Sequence, residues 1–238
     1  MENRAIFHFY EELNDFLPLD KKETAFVYSF RGNPAVKDAI EAIGVPHVEI
    51  NLIQVNDQTV DFRYHLKNND VVSVYPVQRK IEGKEIKFIL DVHLGKLAKY
   101  LRMCGFDTAY QNDYNDKKII EISLEENRII LTRDIGILKV KSVSNGYFIR
   151  NQDWKAQLTE VLKHFDLYHA ITPFIRCIKC NGKLEKIEKE KIIQQLEPLT
   201  QKYFDTFFRC THCQGIFWKG SHFDRMSSFI NTIKNLES

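Results

Sequence analysis

Four of the five cysteines fall into two Cys-x-x-Cys pairs, Cys177-Ile178-Lys179-Cys180 and Cys210-Thr211-His212-Cys213, with 29 residues between the pairs. Thiols at this spacing are presented to one ion by a single knuckle turn, and four such sulfurs match the closed tetrahedral coordination of structural zinc. One such pair is compatible with redox chemistry, but two in tandem point to metal. Disulfides are the competing use, and they belong to exported chains. The spacing therefore predicts a zinc ribbon held by Cys177, Cys180, Cys210 and Cys213. Gly182 and Gly215, each two residues past the second cysteine of its pair, are expected to give the knuckles a flexible backbone.

The rest of the chain must fold around other cores. At 238 residues it has room for two or three small domains, and 44% hydrophobic content is ordinary for globular protein. No stretch approaches the ~20 consecutive apolar residues of a membrane helix, and the N-terminus lacks the basic-then-apolar pattern of a secretory signal. The expectation is a cytoplasmic chain with no membrane partner. Net charge is +2, but residues 1–80 hold 9 Lys/Arg against 12 Asp/Glu, while residues 81–238 hold 25 against 20. The basic part is the one suited to phosphates, and its modest excess is compatible with nucleic acid without demonstrating it.

Residues 1–80 begin with two apolar strand-like runs, Ala5–Tyr10 and Thr24–Phe30. A helix follows Pro34, with Val36, Ala39, Ile40 and Ile43 on one face and Gly44 as its stop. Short strands are expected at Val48–Val55 and Val71–Tyr75. This is the order of a β-grasp domain. The run Val36-Lys37-Asp38-Ala39-Ile40-Glu41-Ala42-Ile43-Gly44-Val45-Pro46-His47 resembles ubiquitin-like sulfur carriers of the thiamine and molybdopterin type. Those carriers end in an activated Gly-Gly tail, whereas here Pro76-Val77-Gln78-Arg79-Lys80 runs on into more chain, so a module for binding a protein partner is the better expectation.

After the polar bridge Ile81–Lys84, strands alternate with helices. The apolar strand Ile86–Leu90 precedes a helix carrying Leu94, Leu97, Ala98 and Leu101, which stops before Gly105. A short Asp107–Tyr110 strand, a helix over Lys117–Glu126, the apolar strand Arg128–Thr132, a short helix at Ile135–Val140, a strand at Gly146–Arg150 and a helix Trp154–Phe165 capped by Asp153 follow. Strands separated by helices imply a parallel sheet with helices on both faces. The expected class is α/β throughout: a β-grasp domain over 1–80, a three-layer α/β/α domain over 85–170, and the zinc ribbon with a C-terminal helix over 171–238.

In such sheets ligands bind beyond the carboxyl ends of the strands. Asp91 and Asp134 each end a strand there, and Asp116 opens a helix that faces the same rim; Asp107 is a weaker candidate. Converging carboxylates repel by a few kcal/mol at about 4 Å and an effective dielectric near 20, and a divalent cation removes that repulsion. Oxygen-only ligands suit magnesium or manganese. An Asp after a strand also serves as an ordinary helix N-cap, and each of these residues has that second reading.

The segments Leu90-Asp91-Val92-His93-Leu94-Gly95-Lys96-Leu97-Ala98-Lys99-Tyr100-Leu101-Arg102-Met103-Cys104-Gly105-Phe106-Asp107-Thr108 and Arg128-Ile129-Ile130-Leu131-Thr132-Arg133-Asp134 resemble the mut-seven C-terminal RNase family, a PIN-like nuclease group with a fused zinc ribbon and often a ubiquitin-like N-terminal extension. The resemblance implies a metal-dependent ribonuclease with Asp91, Asp116 and Asp134 as metal-binding acids and Asp107 as a candidate fourth. It also sets Lys96, Arg102 and Arg133 beside the acids. Arginines there serve either RNA phosphates or an internal ion pair, and Lys96 suits a solvated helix face. In the ribbon, Ile216-Phe217-Trp218-Lys219-Gly220-Ser221-His222 also matches the family. Phe217 and Trp218 fit packing better than base stacking, and His222 is a candidate RNA contact or spare ligand. Cys104 reads as a buried small hydrophobe, and His93 as weak evidence of proton transfer. A non-catalytic RNA- or ribosome-binding adaptor and a sulfur-transfer partner are the competing functions. The acids count against the first and the missing tail against the second.

Overall fold

The protein is described by a computed structural model covering residues 2–77 and 86–235. The expected bridge Ile81–Lys84 and the end of the preceding run, Gln78–Lys80, lie outside the described residues. The chain divides into two compact units, each built from two separate stretches: Met1–Arg79 with Asp116–Arg150, and Lys80–Asn115 with Asn151–Ser238.

The first unit contains the β-grasp-like sheet. Strands β1 (Asn3–Phe9), β2 (Phe26–Phe30), β3 (Ile50–Val55), β4 (Gln58–Val60) and β5 (Val71–Pro76) lie in the order β2-β1-β5-β3-β4. β1 pairs with β5 in parallel, and the other neighbours are antiparallel. The alternation in β1 explains which face is closed, since Ala5, Phe7 and Phe9 are buried while Ile6 is exposed. Helix α1 (Val36–Ile43) lays Val36, Ala39 and Ile40 on that closed face and ends at Gly44 at φ 136°, a conformation that favours glycine. The strand expected from Val48 starts at Ile50, because His47–Glu49 form a 3-10 turn. The short β4 has no apolar alternation to announce it.

The same unit takes in α3 (Asp116–Glu126), β8 (Ile129–Thr132), α4 (Ile135–Lys139) and β9 (Gly146–Phe148), with β8 and β9 parallel. The β-grasp part is joined to this segment by polar contacts that water reaches poorly. The Glu49 carboxylate, 3% exposed, accepts from Phe148 N at 2.6 Å and pairs with Arg150 at 3.2 Å. Arg150 also pairs with Asp15 at 2.9 Å and lies over the rings of Phe16 and Tyr147. Burial works most strongly against the Arg150 charge, but Glu49, Tyr147 and Asp15 together outweigh it and raise the guanidinium above its ordinary value. Lys139 Nζ donates to Glu41 O at 2.7 Å, and the His47 ring bridges Glu41 and Val143 O.

The second unit pairs β6 (Lys87–Leu90) with β7 (Asp107–Ala109) in parallel, covered by α2 (Gly95–Met103) and α5 (Trp154–His164). All four residues of β8 and three of the four in β6 are buried, as strands covered on both faces require. Asp153 caps α5, accepting from Lys155 N and Ala156 N. Gly105, at φ 100°, ends α2 where a side chain would collide with the Thr172 carbonyl. The ribbon is a three-stranded antiparallel sheet, β10 (Leu184–Ile187), β11 (Phe207–Cys210) and β12 (Ile216–Trp218), with α6 (Pro198–Tyr203) between β10 and β11 and the helix α7 (Ser221–Lys234) after it. Ile192, Leu196 and Phe207 form a small core on one face of that sheet. No described helix is long and apolar enough to cross a membrane.

Candidate functional site

The ribbon draws the four cysteine sulfurs to within 4.8 Å of one another. Cys180 Sγ and Cys210 Sγ are 3.3 Å apart, and Cys177 Sγ and Cys213 Sγ 3.7 Å. A zinc ion with sulfurs at ~2.3 Å needs tetrahedron edges of roughly 3.8 Å, so the donor set fits that ion in type, number and spacing. The two knuckles repeat one hydrogen-bond pattern. Asn181 N donates to Cys177 O at 2.9 Å and Cys177 N to Gly182 O at 2.7 Å; Gln214 N donates to Cys210 O at 3.1 Å and Cys210 N to Gly215 O at 2.9 Å. The left-handed residue of each turn is Asn181 (φ 71°) or Gln214 (φ 58°), one position before the glycine expected to supply it. Gly182 is required for space instead, since a Cβ there would meet Cys210 Sγ at 2.7 Å.

Asp91 follows β6 and is 5% exposed; its Oδ1 accepts from His93 N at 2.8 Å, which starts the 3-10 turn Val92–Leu94. Asp134 follows β8, is exposed, and accepts from Gly136 N at 2.7 Å as the N-cap of α4. Asp116 is the exposed first residue of α3. Asp91 belongs to one compact unit, and Asp116 and Asp134 to the other. The N-cap reading therefore holds for Asp91 and Asp134, and it leaves each carboxylate at the carboxyl end of a parallel strand.

Two other candidates are engaged elsewhere. Arg102, 4% exposed, donates to the carbonyls of Thr108 at 2.9 Å, Tyr110 at 3.2 Å and Lys179 at 2.9 Å. Burial lowers its pKa and nearby Cys180 and Cys177 offset part of that. Asp107 Oδ1 accepts from Asn181 at 2.7 Å, and Oδ2 pairs with Arg176 at 3.1 Å. Asn181 in turn accepts from Thr108 N at 3.0 Å. Arg102 and Asp107 thus hold the first cysteine knuckle against β7 and α2.

Arg133 Nη1 donates to Ile149 O and Arg150 O at 3.3 and 3.1 Å. Lys96 and His93 are exposed on α2 and the turn before it, and His222 is exposed in the first turn of α7. Tyr110 gave no signal in the sequence. Its hydroxyl donates to Val92 O at 2.9 Å, and its pKa is raised first by burial and then by the charge of Asp91. It fills the space over Gly95, where any Cβ would overlap its ring.

Residues 86–230 match the Mut7-C RNAse domain and residues 2–82 the Mut7-C ubiquitin domain. The chain belongs to the Mut7-C RNAse domain family, with that family's ubiquitin-like domain before it. No curated protein and no solved structure gives a match.

Proposed function

We propose that this protein is a metal-dependent ribonuclease that hydrolyses RNA phosphodiester bonds in the cytoplasm, using Asp91, Asp116 and Asp134 to hold magnesium or manganese. The observation that carries the reading is the match of 86–230 to an RNase domain whose Asp91 and Asp134 both stand at the carboxyl ends of parallel strands. A bound divalent cation would activate water and neutralise charge gathering on the phosphate. The residues' own part is to fix the carboxylates: Asp91 and Asp134 are each oriented by a hydrogen bond from the turn they cap. Lys96 and His222, both exposed, are the side chains proposed to meet RNA, and Arg133 supports the segment beside Asp134. Structural zinc in the ribbon gives a rigid platform for gripping substrate, and the ubiquitin-like domain is the proposed site of a protein partner.

Incubation of zinc-loaded protein with single-stranded RNA tests this reading. Cleavage is expected with magnesium or manganese, is expected to stop with a chelator that spares the ribbon zinc, and is expected to fall by at least about a hundredfold in folded Asp134→Asn protein. Equal inertness of wild type and variant, with RNA binding retained, would leave an adaptor.

A further inference from the structure

The two faces of the ribbon sheet differ in a way that the zinc does not require. Phe207 turns inward to the small core and is fully buried, whereas its neighbour Phe208 pairs in register with Phe217 on the opposite face, and both are only half-buried. Over that face lies an open cavity of about 330 Å³ whose wall includes Phe174, Phe208, Phe217, Trp218, Lys219 and Phe223. This is at the small end of ligand pockets, which run from roughly 300 Å³.

Phe174 is held at φ 62°, a backbone region that a bulky side chain rarely adopts, with its N–H tied to Met103 O at 3.1 Å. That strained residue sets its ring 4.5 Å from the ring of Phe223 on α7. The charged side chains at the wall, Arg176 and Lys219, are cationic: Lys219 sits over the Phe223 ring at 5.4 Å, and among the described residues no carboxylate lines the cavity. Residues 171–238 as a whole hold 11 Lys/Arg against 7 Asp/Glu. Aliphatic side chains, Ile175, Leu184 and Met226 among them, complete the wall and would serve an apolar peptide equally, but such a peptide gains nothing from this charge. A planar aromatic ring carrying a phosphate is served by both, because bases stack on aromatic side chains and phosphates seek lysine.

We propose that this cavity is a base-stacking subsite for single-stranded RNA, taking one unpaired base against Phe217, Phe174 and Phe223 with the adjoining phosphate at Lys219. The inference deepens the ribonuclease reading and rests on it for the identity of the ligand as RNA, but it concerns a surface separate from the carboxylates.

The test uses full-length zinc-loaded Asp134→Asn protein, so that binding is read without cleavage, and a fluorescein-labelled ten-nucleotide oligoadenylate against an abasic oligonucleotide of the same length. Leucine replacements, Phe217→Leu and Phe223→Leu, keep the wall apolar and remove only the stacking rings. Oligoadenylate is expected to bind at least tenfold more tightly than the abasic strand and to change Trp218 emission, in a Trp154→Phe background that removes the second tryptophan. Each leucine change is expected to weaken oligoadenylate binding about tenfold and to leave the abasic strand unaffected. Equal affinity for the two strands, or full affinity in both leucine variants, would overturn the subsite. So would a Trp218 response to a leucine-rich amphipathic peptide with none to RNA, which assigns the cavity to a protein. Base preference without any cleavage by the parent protein would support the subsite while removing the nuclease; cleavage without base preference would do the reverse.

Discussion

Glu49 Oε2 and Arg150 Nη2 lie 3.2 Å apart, and the other oxygen of Glu49 takes the backbone N–H of Phe148, so one buried carboxylate ties the ubiquitin-like domain to strand β9 of the RNase domain. The pair lies within one compact unit, and the ubiquitin-like domain is therefore part of the fold that carries Asp134 rather than a tethered appendage.

Removing one partner leaves the other charged in a poorly solvated place, which is costlier than never having had the pair. Glu49→Ala is expected to lower unfolding stability by about 3 kcal/mol, moderated because Arg150 retains Asp15. Chemical denaturation of the full chain checks this, and a loss under about 1 kcal/mol contradicts it. Glu49→Gln keeps the acceptor for Phe148 N and is expected to lose less.

The Arg102 and Asp107 contacts give a second expectation. Arg102→Met leaves the carbonyls of Thr108, Tyr110 and Lys179 without their donor, at about 1–3 kcal/mol for each that water does not reach. The ribbon should then release zinc more readily, measured as faster transfer to a chromogenic chelator. Asp107→Asn, which keeps an oxygen for Asn181, is expected to loosen the ribbon in the same assay while cleavage of RNA survives.

Most of the fold was legible in the residues because the signals were local. The β1 alternation, the apolar β6 and β8, the α1 face ended by Gly44 and the paired cysteines each announce themselves within a few positions. The role of Arg102 was not, because its partners are backbone carbonyls as far along the chain as Lys179, and a carbonyl carries no residue identity. The pairing of Asp107 with Arg176 was hidden for a related reason: a carboxylate near a strand looks the same in sequence whether it faces a cation or an arginine. Asp91 and Asp134 were legible as strand-end acids, and each caps the turn or helix that follows its strand.

Thiol accessibility separates the five cysteines. Burial pushes the Cys104 thiol up to about 12, so at neutral pH it stays protonated and unreactive in the folded chain. Zinc-loaded native protein is expected to give less than one reactive thiol, chelation of zinc to release the four ribbon cysteines, and full unfolding to add the fifth. Reaction of Cys104 before unfolding would contradict its placement.

Manganese binding, followed by electron paramagnetic resonance on zinc-loaded protein, tests the shared-cation claim most directly. The account predicts one tightly held manganese ion in the wild type and a loss of affinity of at least about tenfold in both Asp91→Asn and Asp134→Asn, because each supplies a carboxylate to the same ion. Wild-type affinity in either variant would contradict it.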